Sequence, residues 1–132
     1  MAVRYRTSAE TVSDRETAVP GGLAVRVANP LKDAGDTSAT NPEQLLALAW
    51  ATCLKATAQV LTDAAVRVRV EVELRDAEGR VGFEFHVTAV LAADGLSLDE
   101  AEALVAAAHA RCPVSRLLHG ASTVAVRAEA YG

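Results

Sequence analysis

Two cysteines stand in the 132-residue chain, one in each of two stretches: TNPEQLLALAWATC, ending at Cys53, and HARCPVS, holding Cys112. A thiol becomes a nucleophile only as its thiolate, so what surrounds each cysteine decides its use. Cys112 precedes Pro113, a residue suited to the first turn of a helix, and free N–H groups at such a start favour a thiolate. Cys53 falls in the middle of a long helical pattern, where a buried thiol is ordinarily inert and serves as a small apolar core residue. Glu43 lies ten residues earlier on the same helix. Besides meeting the positive end of the helix dipole, its carboxylate can hold an arginine, and that cation can stabilise the Cys53 thiolate.

Other constellations are weaker. For zinc, two thiols need two more ligands. His86, His109 and His119 are available, but only the three-residue spacing of His109 and Cys112 could share a helix face, which ranks metal chemistry below redox chemistry. Ser115 with a histidine and an aspartate lacks the G-x-S-x-G elbow of a hydrolase, and no glycine-rich phosphate loop occurs. His86 falls on the polar phase of a strand and reads as a solvated residue. Trp50 reads as a core or interface aromatic.

The elements that must position these residues follow from periodicity. VRYR is a plausible first strand, Pro20-Gly21-Gly22 a turn, LAVRVA a strand and NPLKDAGDTSAT a polar loop. A helix starts at Thr40 or Asn41 as cap, with Pro42 in its first turn. Its apolar residues wrap most of the circumference, which predicts a central, buried helix. VRVRVEVELRD and VGFEFHVTAVLA alternate with period two and form a hairpin, one face carrying Val66, Val68, Val70, Val72 and Leu74, the other strand Val81, Phe83, Phe85 and Val87. LSLDEAEALVAAAHAR is a helix capped by Ser97 or Asp99, PVSRLLHG a short helix ending at Gly120, and STVAVRAEAY a closing strand. The expected class is α+β, with helices packed on antiparallel sheet, in one domain spanning residues 1–132.

Half of the chain is apolar (51%), 23% is charged and the formal net charge is −4. This is a globular composition, and the acidic balance argues against sequence-independent nucleic-acid binding. MAVRYRTSAE lacks the apolar core of a signal peptide, and Lys55 and Asp63 interrupt the best candidate for a membrane span, so the expected compartment is the cytoplasm.

With those residues in view, TNPEQLLALAWATC followed by CPVS at a later helix start resembles the Ohr/OsmC family of organic hydroperoxide reductases. The order of strands, long helix, hairpin, two helices and strand matches that family over nearly the whole chain. The resemblance implies an OsmC-like fold, with antiparallel sheets around a long central helix in an intertwined homodimer. It implies a peroxidase that turns organic and lipid hydroperoxides into alcohols without a cofactor. Cys53 would be the peroxidatic thiolate, forming a sulfenic acid; Cys112 would resolve it as a disulfide; a dithiol, commonly a lipoyl group on a protein, would reduce that disulfide. Glu43 would orient the activating arginine, with Arg15 in SDRETAVPGGL the first candidate and Arg4, Arg6 and Arg26 the others. Leu46, Trp50 and Leu54 would accommodate the organic part of the peroxide. A sensor or ligand-binding member of the same fold is the alternative.

Overall fold

The computed structural model describes all 132 residues. They form two compact units, Met1–Pro42 and Glu43–Gly132.

In the first unit, β1 (Glu10–Ser13), β2 (Glu16–Ala18) and β3 (Ala24–Arg26) form an antiparallel sheet in sequence order. Pro20-Gly21-Gly22 turns the chain from β2 to β3 as expected: Gly21 takes φ +72°, and the Gly22 N–H donates to the Val19 carbonyl at 2.8 Å. Two expectations change. VRYR forms no strand, and its Val3 and Tyr5 are exposed; period-two alternation makes a strand only where a neighbouring edge accepts its hydrogen bonds. The polar loop contains a helical turn, α1 (Pro30–Asp33), because Asn29 caps it through Oδ1 at 2.9 Å from the Leu31 N–H and Pro30 occupies its first turn.

The second unit carries α2 (Pro42–Leu61), β4 (Val66–Asp76), β5 (Phe83–Ala93), α3 (Leu98–Arg111), α4 (Pro113–Leu118) and β6 (Val124–Ala128). The β4–β5 hairpin is in register from Val66 opposite Ala93 to Asp76 opposite Phe83. Its even-numbered β4 side chains turn inward as the alternation requires. Beyond Val87 the alternation on β5 gives way to an unbroken buried run, Ala89–Ala93, because that half of the strand is central, between β4 and β6. Val81 lies before the strand and Phe83 at its exposed end.

The closing strand differs from an all-antiparallel plan. β6 runs parallel to β5, with Val87 opposite Val124 and Leu91 opposite Ala128. The two intervening helices carry the chain back to the start of β5, the crossover a parallel pair requires. α3 starts with a complete capping box: Ser97 Oγ accepts from the Glu100 N–H at 3.1 Å, and Glu100 Oε1 accepts from the Ser97 N–H at 3.0 Å.

The core joins Trp50, Leu54 and Ala58 of α2 to Ala101, Leu104, Val105 and Ala108 of α3 and to Val87, Ala89, Leu91 and Ala93 of β5. The three α2 residues recur every fourth position, one stripe of a helix. α2 is therefore not buried all round: within the chain Leu48 and Val60 on its other sides stay exposed. No helix is long and apolar enough to cross a membrane.

Candidate active site

Cys53 and Cys112 come together. Each is a free thiol, Cys53 partly exposed and Cys112 fully buried, and they are close enough for each to alter the ionisation of the other. Cys53 sits midway along α2, where its carbonyl also accepts the Thr57 hydroxyl at 3.0 Å. Cys112 ends α3, donating its N–H to the Ala108 carbonyl at 2.8 Å, and serves as N-cap of α4, accepting the Arg116 N–H at 2.9 Å. Pro113 enforces this break: it supplies no N–H and sets the extended backbone of the residue before it, and Cys112 has φ −66° and ψ 125°.

The two thiols are electrostatically unequal. Burial is the strongest influence on both and opposes ionisation. At Cys53 it prevails: the Val114 N–H lowers the thiol, Cys112 raises it, and the net result is a thiol above its ordinary range. At Cys112 burial is outweighed by hydrogen bonding from the Ser115 N–H, the Ser115 hydroxyl, the Cys53 thiol and the Val114 N–H, and the thiol falls below that range. The Cys112 sulfur forms no capping bond to α4, so the N–H groups at the start of that helix act on it as nearby dipoles. Within this pair the surroundings favour ionisation of Cys112 over Cys53.

Ser115, set aside at the level of sequence, is part of this arrangement. It is 1% exposed, and its Oγ accepts the Trp50 indole N–H at 2.9 Å. The available signal was spacing: Ser115 is the third residue of α4, where the side chain of an N3 residue adjoins that of the N-cap. Trp50 is fully buried, its ring centroid 6.3 Å from that of His109. A cavity of about 400 Å³, lined by His109, Ala110, Ser115, Arg116 and His119, adjoins this group.

Trp50 and Leu54, expected to accommodate the organic part of the peroxide, are fully buried core residues, with half-buried Leu46 packed against the same cluster. The apolar cavity on α2, about 500 Å³, is lined by Gln44, Ala47, Leu48, Ala51, Thr52 and Val70. It opens on another side of the helix, since Ala51 projects about 160° away from Cys53 at 3.6 residues per turn.

Glu43 occupies the first turn of α2, with one carboxylate oxygen, Oε2, shielded from solvent and accepting no hydrogen bond. Ten residues of helix separate it from Cys53 by about 15 Å along the axis, so it reaches the thiol only through a longer group. Arg15 lies in the turn between β1 and β2, its side chain exposed, and shares a polar cavity of about 410 Å³ with Arg26, Asp33 and Asp36. Arg26 contacts Asp36 at 3.6 Å. Arg4 and Arg6 lie in the segment without regular structure. No three His, Cys, Asp or Glu side chains gather as a metal site. His86 pairs with Glu84 at 3.4 Å on β5.

His109 yields a prediction. Burial, reinforced by repulsion from His119, holds its imidazole below the ordinary value, and its Nδ1 is buried without a partner. The unfolded chain then binds more protons than the folded one just below pH 6.5. Stability should fall as pH drops through about 6.5 and level off below the folded value. Urea midpoints of the wild type and His109→Gln at pH 7.5 and 5.5 test this: the variant should lose less stability on acidification, and equal losses would contradict it.

The comparisons agree with this architecture. The family model described as OsmC-like protein matches residues 35–127. An organic hydroperoxide resistance protein-like protein of Mycoplasma pneumoniae is 36% identical over 129 residues, covering 89% of each chain. Among solved structures, an organic hydroperoxide resistance protein OsmC from Legionella pneumophila superposes with a TM-score of 0.82 at 31% identity, covering 98% of both chains. The organic hydroperoxide resistance protein OhrB of Bacillus subtilis does so with a TM-score of 0.84 at 26% identity, covering 97% of this chain and 99% of its own. The match of the family model over most of the chain, together with the shared fold, places the chain, which is similar to these organic hydroperoxide resistance proteins, in the OsmC-like family.

Proposed function

We propose that the chain is a thiol-dependent peroxidase that reduces organic hydroperoxides to alcohols. The observation that carries this reading is the apposition of two free thiols, partly exposed Cys53 in mid-α2 and buried Cys112 at the junction of α3 and α4. The Cys53 thiolate attacks the terminal peroxide oxygen; the O–O bond breaks, the alkoxide leaves and takes a proton as alcohol, and Cys53 becomes a sulfenic acid. The Cys112 thiolate then attacks the Cys53 sulfur, forming the disulfide and releasing water after protonation. A dithiol reductant, of the lipoyl type, restores both thiols.

The charge distribution sets a requirement. The pair by itself favours charge on Cys112, so Cys53 attacks as a thiolate only when a cation is brought to it. The Glu43 carboxylate, with its unpartnered buried oxygen, supports a role in holding a guanidinium for that purpose. Arg15 is the proposed donor. The chain works in the cytoplasm as a homodimer, a reading supported by the apolar residues that α2 leaves uncovered, Leu48 and Val60. One observation favours a second reading, a sensor or ligand-binding member of the same fold without turnover: burial raises the Cys53 thiol, and none of the groups acting on it is a cation.

Turnover of cumene hydroperoxide and of hydrogen peroxide with dihydrolipoamide tests the proposal. Faster loss of the organic peroxide is expected, and no turnover with any dithiol would favour the sensor. Arg15→Ala should slow oxidation of Cys53 by roughly tenfold or more, the effect of losing one charge-stabilising contact; a wild-type rate would assign the role to another arginine, with Arg26→Ala the next variant to compare.

A further inference from the structure

The cysteine pair raises a question that its peroxidase chemistry leaves open: which sulfur a reducing thiol attacks. We propose that Ser115 is a positioning residue, oriented by Trp50, that makes Cys112 the sulfur that leaves and Cys53 the sulfur that is attacked when the Cys53–Cys112 disulfide is opened. This rests on the disulfide chemistry proposed above, though not on the peroxide step.

The geometry has three parts. Cys112 is 0% exposed whereas Cys53 is partly exposed, so an incoming thiolate meets Cys53 first. Ser115 stands at N3 of α4, where its side chain adjoins the N-cap Cys112. Its oxygen is occupied by the Trp50 indole N–H at 2.9 Å, and indole is a donor only, so the single hydroxyl proton is left to point elsewhere. The N-cap side chain beside it, Cys112, is the acceptor assigned to that proton. Trp50 is fixed in turn, fully buried in the core.

The step balances. The reductant thiolate attacks Cys53 Sγ; a reductant–Cys53 disulfide forms, the Cys53–Cys112 bond breaks, and its electron pair departs on Cys112, whose new negative charge accepts the Ser115 hydroxyl. The second thiolate of a dithiol then attacks the reductant's own sulfur in that mixed disulfide. It closes the reductant's disulfide and releases Cys53 as a thiolate that takes up a proton. Two electrons pass from the dithiol to the cysteine pair. A better-stabilised leaving thiolate leaves faster.

The test does not need peroxide. The disulfide is formed in the full chain with diamide, which takes two hydrogens from the two thiols. It is opened with 2-mercaptoethanol, quenched in acid, and mapped by peptide mass spectrometry. Wild type should carry the adduct on Cys53. Ser115→Ala should open about tenfold more slowly, the effect of one hydrogen bond to a charged group. Because that variant also orphans the buried Trp50 N–H, the double variant Ser115→Ala/Trp50→Phe separates structure from chemistry. It should regain thermal stability relative to Ser115→Ala, yet stay slow.

An adduct on Cys112 in the wild type, an unchanged opening rate in Ser115→Ala, or a double variant that recovers rate together with stability would each overturn the proposal. So would failure of diamide to join Cys53 to Cys112. If peroxide turnover is absent but opening follows the expected pattern, the peroxidase reading falls and this one stands.

Discussion

Cys53→Ser is expected to abolish reduction of cumene hydroperoxide, lowering the rate by roughly a thousandfold or more, as loss of a nucleophile generally does. Cys112→Ser should behave differently: one equivalent of peroxide is consumed, and the protein stops with Cys53 oxidised. The asymmetry follows from position. Cys53 is partly exposed and so the member of the pair that a substrate can meet, whereas Cys112 is fully buried. A serine at 112 still leaves an attacking sulfur but no second sulfur to expel water. Stopped-flow with one to ten equivalents of peroxide, followed by dimedone labelling and intact mass, reads both variants. Equal residual turnover in the two would contradict the assigned roles. A burst in Cys53→Ser with none in Cys112→Ser would reverse them, an outcome with a physical basis, since the pair's own hydrogen bonds favour charge on Cys112. The experiment therefore also asks whether a cation overrides that preference at Cys53.

The largest effect on stability is expected from Trp50→Ala, a loss of about 3–5 kcal/mol, the range for truncating a buried aromatic. Trp50 is 0% exposed and packs with Leu54, Ala58 and the buried face of α3. The variant also removes the indole donor to Ser115. Trp50→Phe keeps most of the ring volume and loses the N–H, so it should be destabilised by only about 1–2 kcal/mol. Urea unfolding of both variants separates packing from hydrogen bonding. A loss below about 1 kcal/mol for Trp50→Ala would mean that α2 is not anchored through this residue.

Much of the fold was legible because local patterns agreed with the tertiary arrangement. The alternation of VRVRVEVELRD predicted 66–76, the bounds of β4, because one of its faces is buried at Val66 and half-buried from Val68 to Leu74 while the other stays exposed. Ser97 and Pro42 marked helix starts through capping chemistry that needs no distant partner. VRYR failed for the converse reason: its alternation was real, but no neighbouring strand in the chain accepts it.

The parallel pairing of β6 with β5 was not legible, because strand direction depends on the route of the chain through α3 and α4. α2 was misjudged as buried all round; alanines and leucines on every side of a helix do not say which side meets the core, and packing selected Trp50, Leu54 and Ala58.

By itself the sequence determined the chemistry available: two thiols, a carboxylate in the first turn of the same helix as one of them, a proline that must start a helix after the other, and the motifs that resemble the family. Those are properties of residue type and short-range spacing, which local sterics and capping translate directly into structure. Only the tertiary structure decided that Cys53 and Cys112 meet, that Cys112 is the buried member, and that Ser115 and Trp50 form its surroundings. Those relations join α2 to α4 across about half the chain, 65 residues between Trp50 and Ser115. They depend on how a core packs, and so on burial and on hydrogen bonds between residues that spacing along the chain does not relate.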